Sequence, residues 1–142
     1  MPEDKISHRA AEPVGAFPHA KRVGDLLFLS GIGPRVRGSK TIPGVTQDAD
    51  GNVTNHDITA QSHAVFENVR LVLEDAGAKW NDIVDVQVFL THMKRDFATF
   101  NRIYAEYFAG EDKPNPPRTT VEVGALPTPI AVELKVIAYL KS

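Results

Sequence analysis

From Asp57 to Gly110 the chain reads helix, strand, helix, an order that commits it to helices packed on a sheet. Val65, Val69, Val72 and Ala76 form one stripe flanked by Phe66 and Leu73, with Asp57 placed to cap the helix and Gly77 to stop it. Asp82 to Thr91 alternates Val84, Val86, Val88 and Leu90 with Asp85 and Gln87, the period of a strand with one buried face. Asp96 is the expected cap of a second helix carrying Phe97, Phe100, Tyr104 and Phe108 on its inner side, ended by Ala109-Gly110. Before this block lie a short extended start around Ile6, then Ala20–Val23, a Gly24-Asp25 turn and Leu26–Ser30, read as a hairpin whose second strand is deeply buried. Gly31 to Asn55, rich in Gly and Pro, reads as one long irregular loop of the kind that carries function. Two further β-patterned runs follow, Arg118–Val123 and Ile130–Leu140. The order β-β-α-β-α-β-β predicts an α+β, two-layer fold: a single mixed β-sheet covered by two helices on one face.

At 142 residues and 42% hydrophobic content, one domain spanning 1–142 is expected. A net charge of −2 gives no field to attract a phosphate backbone, so no nucleic acid partner is expected. The absence of cysteine excludes disulfides, thiolate catalysis and cysteine-ligated metal. Met1-Pro-Glu-Asp-Lys5 lacks the basic start and apolar run of a secretory signal, and no apolar segment approaches the roughly 20 residues that span a bilayer. A cytoplasmic protein without membrane contact is the expectation.

The chemistry is concentrated in the last two strands. If Gly124-Ala-Leu-Pro-Thr-Pro129 closes them into an antiparallel hairpin, Thr120 falls opposite Glu133 and Arg118 opposite Lys135. Arg118, Thr120 and Glu133 would then share the sheet face away from Val132, Leu134 and Val136. Ala131, Ile137 and Tyr139 would join Glu133 and Lys135 on that uncovered face, too apolar for a purely solvated surface, so self-association through it is expected. Arginine is suited to gripping a carboxylate because its planar fork is always charged, although a lone surface arginine is most often only solvated. Glu133 interrupts a β-branched strand, where it is either half of an ion pair with Arg118 or Lys135 or a carboxylate that orients water and moves protons.

Ser30-Gly31 ends a strand and offers a hydroxyl and an approachable main chain, although an ordinary strand terminus would look the same. Lys21, Arg22, Arg35 and Arg37 flank that strand end, as a solvated rim or as a second anion contact for a dicarboxylate. Gly31-Ile-Gly33 fits no phosphate-loop spacing, and Ser30 lacks a nucleophile-elbow setting. Five scattered histidines show no helical i, i+4 metal pair; His56 and His63 fall two turns apart on one expected helix face.

Gly15-Ala-Phe17, Leu29-Ser-Gly31, the helix with Gln61, Asn68 and Ala76-Gly77, Asp82-Ile-Val84, Asp96-Phe-Ala-Thr99, Pro117-Arg-Thr-Thr-Val-Glu-Val123 and Val132-Glu-Leu134 together resemble the reactive-intermediate deaminase (Rid, or YjgF-type) family over nearly the whole chain. The resemblance implies a chorismate-mutase-like fold, a homotrimer with active sites in clefts between subunits, and cofactor-free hydrolysis of enamines and imines. By the same resemblance Arg118 binds the substrate carboxylate, Glu133 sits near the water, and Phe17, Ser30, Gly31 and Thr120 occupy pocket positions. Departures are Phe17 where the family often has tyrosine, Thr120 where it often has cysteine, and a longer, more basic Thr91-His-Met-Lys-Arg95 loop. Within the family, Phe17–Arg22, Gly31–Arg35 and the polar insert before the first helix look most like 2-aminomuconate deaminases of aromatic-compound degradation. The expected reaction is 2-aminomuconate to 4-oxalocrotonate plus ammonia; general 2-imino-acid deamination and non-catalytic metabolite sensing are the alternatives.

Overall fold

The computed structural model describes residues 2–141. Its strands are β1 (Glu3–Lys5), β2 (Ala20–Val23), β3 (Leu26–Leu29), β4 (Val45–Gln47), β5 (Val53–His56), β6 (Ile83–Leu90), β7 (Arg118–Glu122) and β8 (Val132–Tyr139), with helices α1 (Ile58–Asp75) and α2 (Met93–Phe108). Six strands form one mixed sheet in the order β1-β2-β3-β8-β6-β7, with both helices on one side, as the hydrophobic pattern required. The core lies between: Leu27, Leu29, Val86, Val88, Leu90, Leu134 and Val136 from the sheet meet Val65, Phe66, Val69 and Leu73 of α1 and Phe100 and Phe108 of α2. Phe66 sits at the helix–helix contact, its ring centroid 5.4 Å from Phe108 and 4.6 Å from Tyr107. The cap of α1 is as expected: the Asp57 carboxylate accepts from the amides of Thr59 and Ala60 at 3.0 and 3.2 Å. Gly77 follows the helix at φ +88°, a conformation costly for any residue with a Cβ.

The C-terminal hairpin does not form. β7 pairs in parallel with β6, and β8 pairs antiparallel with the other edge of β6, so a central strand separates the two. The cause is the α2 crossover, which returns the chain parallel to β6, as β-α-β units do. The Gly124–Pro129 segment then arches over the end of β6, tied there by Val123 N to Leu90 O at 2.9 Å and Thr91 N to Ala131 O at 3.1 Å. Across β6, Thr120 aligns through Val88 with Leu134, and Val121 aligns through Phe89 with Glu133. Arg118 and Thr120 therefore face the helices, whereas Glu133 and Lys135 face the open side.

Smaller corrections have equally local causes. Residues 31–55 are not wholly irregular, since β4 and β5 form a two-stranded ribbon whose turn is held by the Asp48 carboxylate. His56 belongs to β5 and shares no helix with His63. Asp96 does not cap α2: the helix begins at Met93, and Asp96 is buried in its first turn, bonded by Arg95 at 2.8 Å. Phe97 consequently points outward at 38% exposure. A bulge between Ile83 and Asp85 turns Ile83 inward and leaves Val84 42% exposed. β3 is covered on one face only, with Leu27 and Leu29 buried but Leu26 exposed. Ala131, expected on the open face, is buried.

The open face still carries Val23, Leu26, Val121 and Tyr139 as exposed apolar side chains, with Phe28, Phe89 and Ile137 half-buried among them. Among the described residues, no helix is long and apolar enough to cross a membrane.

Candidate active site

Glu133 emerges from β8 beside the chain segment that leaves β3. Ile32 is bonded to Leu134 in both directions, at 2.8 and 2.9 Å, so Gly31 is drawn against the Glu133 side chain. A Cβ on Gly31 would stand 2.5 Å from Glu133 Oε2 and 2.9 Å from Cδ. This close approach is the physical reason for glycine there. Ser30 is fixed by its amide to His19 O at 2.9 Å and its hydroxyl donating to Pro18 O at 2.8 Å. Burial pushes the Glu133 carboxyl above its ordinary value, with no cation offsetting the shift. Neither ion pair considered for Glu133 forms: Lys135 donates to Leu29 O instead, and burial pulls its ammonium down.

Phe17, Ser30, Gly31, Ile130 and Glu133 line one cavity, together with Arg35 and the strap Ala10–Val14. The strap is held by side chains. His19 Nδ1 accepts from Ser7 N at 3.0 Å, which places the proton on Nε2, facing Ala11 O at 2.9 Å. Arg37 donates to Ala10 O and Ser7 O at 2.7 and 2.8 Å, and Arg35 donates to Glu12 O. From α1, Asn68 donates to Gly33 O and Arg35 O at 2.9 and 2.6 Å, while buried Gln61 bonds Pro43 O and Ala131 N. These amides fasten both walls of the cavity to the helix layer.

Arg118 lies elsewhere. At the start of edge strand β7 its guanidinium bonds Asn101 Oδ1 at 2.6 Å and stacks over Tyr104 at 4.6 Å, with Phe97 and Phe100 at 5.9 and 5.8 Å. Burial pushes the Tyr104 phenol up to about 12, so it stays protonated, and its hydroxyl and that of Thr120 are buried without partners. Of the expected site residues, the fold thus gathers Phe17, Ser30, Gly31 and Glu133, and sets Arg118 and Thr120 apart on the helix side of an edge strand. Sequence reading missed Asn101, which orients Arg118. Its signal was the position on α2, one residue after Phe100 and three before Tyr104, on the turn that faces β7.

A second cavity shares the Pro127, Thr128 and Ile130 wall and is lined by His56 and His92, whose rings lie 5.8 Å apart. Burial holds His56 below its ordinary value, so it is neutral at neutral pH.

The two-layer α+β fold thus carries a cavity where β3 departs beside β8. The sequence matches the family described as "Endoribonuclease L-PSP" over residues 7–140. A RutC family protein of Pyrococcus horikoshii is 37% identical over 139 residues, covering 98% of each chain. A 2-iminobutanoate/2-iminopropanoate deaminase of Dermatophagoides farinae is 32% identical over 133 residues, covering 93% of this chain and 91% of that one. The crystal structure of E. coli TdcF with bound serine superposes with a TM-score of 0.83 at 27% identity, covering 98% of this chain and 99% of that one. A Yersinia pestis structure described as a conserved Rid family protein gives 0.80 at 29% identity, covering 99% and 100%. The chain belongs to this Rid, or YjgF/RutC, family.

Proposed function

We propose that this protein is a cofactor-independent deaminase hydrolysing an enamine or imine, with 2-aminomuconate as substrate and 4-oxalocrotonate and ammonia as products. The observation that carries the reading is the half-buried Glu133 carboxyl, raised by burial and pressed against Gly31 in a cavity walled by Phe17 and Ser30. A carboxyl whose pKa is raised is a stronger base than an ordinary one, and can both accept a proton and return it. The dienamine tautomerises to a 2-imine, water adds to that carbon with Glu133 taking its proton, and the carbinolamine expels ammonia as the carbonyl forms. Orientation of water and imine supplies most of the rate.

The carboxylate beside the reacting carbon is held by Arg118. Because Arg118 and Glu133 face opposite sides of the sheet in one chain, the complete site takes them from neighbouring copies. In this reading the single-domain subunit associates as a homotrimer. Edge strand β7, with Arg118 and Thr120, then meets the Glu133 cavity of the next subunit, and the apolar open faces are covered. Deamination of small 2-imino acids is the second reading, favoured by the Dermatophagoides farinae relative. Ammonia release from 2-aminomuconate, compared with release from 2-iminopropanoate generated in situ, separates the two. A marked preference for the diacid supports the first, and turnover of 2-iminopropanoate alone excludes it.

A further inference from the structure

We propose that Arg35 is the specificity-determining residue of the Glu133 cavity, reading a second carboxylate at the end of the substrate remote from the reacting carbon. This rests on the reading of that cavity as the substrate site and assigns a part of it that the reaction itself does not require.

Lys21, Arg22, Arg35 and Arg37 lie around β3, with Lys135 committed to Leu29 O at its end, and their surroundings distinguish them. Lys21 pairs with Asp4 at 3.3 Å on the open face of the sheet. Arg22 donates to Gly24 O at 2.9 Å and lies 3.9 Å from Asp25. Arg37 is committed to the carbonyls of Ser7 and Ala10. Among the described residues Arg35 is the one of these that lines the cavity, and the one arginine or lysine there. It spends one donor on Glu12 O, and a guanidinium has five. Its main chain is fixed by Asn68, so the fork is mounted on a rigid support rather than a free loop.

The other polar side chains of the cavity bring no positive charge to an anion: Thr128 offers a neutral hydroxyl, and Asn68 spends its amide on Gly33 O and Arg35 O. The Ser30 hydroxyl donates to Pro18 O, both ring nitrogens of His19 are bonded, and Glu133 is itself an acid. The Glu12 carboxylate is the competing anion. It is fully exposed, and it is lowered first by its own backbone amide and only secondarily by Arg37 and Arg35, so water screens it. Exposed Phe17 supplies an apolar wall for the carbon chain of an unsaturated acid. A flat chain with a carboxylate at each end fits these features: one end toward the water held by Glu133, the other in the Arg35 fork.

The test uses two ligands of the same carbon skeleton, muconate with two carboxylates and sorbate with one, and calorimetric Kd values for the intact oligomer. The wild type is expected to bind muconate tighter by roughly ten- to hundredfold, the range of a charge-assisted hydrogen-bonded contact. Arg35→Gln brings the ratio to near one, and Arg35→Lys, which keeps charge without the fork, gives an intermediate ratio. A purely structural role, holding the strap through Glu12 O, would weaken both ligands together and keep the ratio, which overturns the proposal. So does a wild-type ratio near one. Should Arg35→Gln fail to fold, an undiminished ratio in Arg35→Lys overturns it equally. Ammonia release from 2-aminomuconate is scored separately: a protein that prefers muconate through Arg35 yet releases no ammonia retains this assignment and loses the deaminase reading.

Discussion

Replacing Gly31 with alanine drives a methyl group against Glu133, whose side chain supplies the three nearest atoms. The new Cβ would stand 2.5 Å from Oε2, and ordinary contact begins at 3.4 Å, so the carboxyl must retreat by about 0.9 Å. A displacement on the order of 1 Å at a reacting group costs about a hundredfold in rate. The stability change is small because two effects oppose each other. Alanine restricts the unfolded chain, which stabilises by about 0.4–1 kcal/mol, and Gly31 does not occupy the positive-φ region. Pushing Glu133 off its rotamer costs about 0.5–1.5 kcal/mol. Gly31→Ala is therefore expected to lose about two orders of magnitude in kcat/KM with stability within about 1 kcal/mol of wild type. Ammonia release coupled to NADH-dependent glutamate dehydrogenase and urea unfolding of the same preparation measure the two quantities. Activity within twofold of wild type would refute the role given to Glu133, and loss of activity together with several kcal/mol of stability would refute the separation of site from scaffold.

Asn101→Ala removes the bond that orients Arg118, and kcat/KM is expected to fall roughly tenfold with little change in Tm; unchanged kinetics would show that Arg118 needs no such support. The raised pKa of Glu133 means that its proton is held more tightly in the folded state, so its contribution is fully present below 4.5 and is lost as pH rises through the folded value. Glu133→Gln should accordingly be more stable than wild type at neutral pH, with the difference vanishing below pH 4.5; a pH-independent difference in denaturation midpoint would contradict this. Ile137→Lys places a charge on the open face and should convert the oligomer to monomers by light scattering; an unaltered mass would show that this face is not the interface.

Most of the layer architecture was legible because it is written in short-range periodicity. The Val65, Val69, Val72 stripe and the Asp57 cap specify α1, and the alternation in β6 and β8 specifies their buried faces. Strand order was not legible at the C-terminus. The Gly124–Pro129 turn chemistry suits a hairpin, but which neighbour β7 takes is decided by the α2 crossover, a long-range property that the two strands do not encode. Since that order sets relative faces, the expectation that Arg118 and Glu133 point the same way failed with it. Gly31, Ser30, Phe17 and Glu133 nevertheless converge, because they depend on the Ile32–Leu134 bridge rather than on β7. Asp96 failed as a cap for a subtler reason: α2 starts four residues earlier, at Met93 in place of Phe97, and the Asp96 carboxylate is bonded by Arg95.

Mixing subunits probes the composite site most directly. Arg118→Ala and Glu133→Gln are each expected to be nearly inactive. When equal amounts are unfolded and reassembled together, a ring of subunits that shares its sites regenerates an intact Arg118–Glu133 pair at about one quarter of the interfaces, and activity should return to about that fraction of wild type. Mixed oligomers that form, by mass, yet stay as inactive as either parent would contradict a site built from two chains.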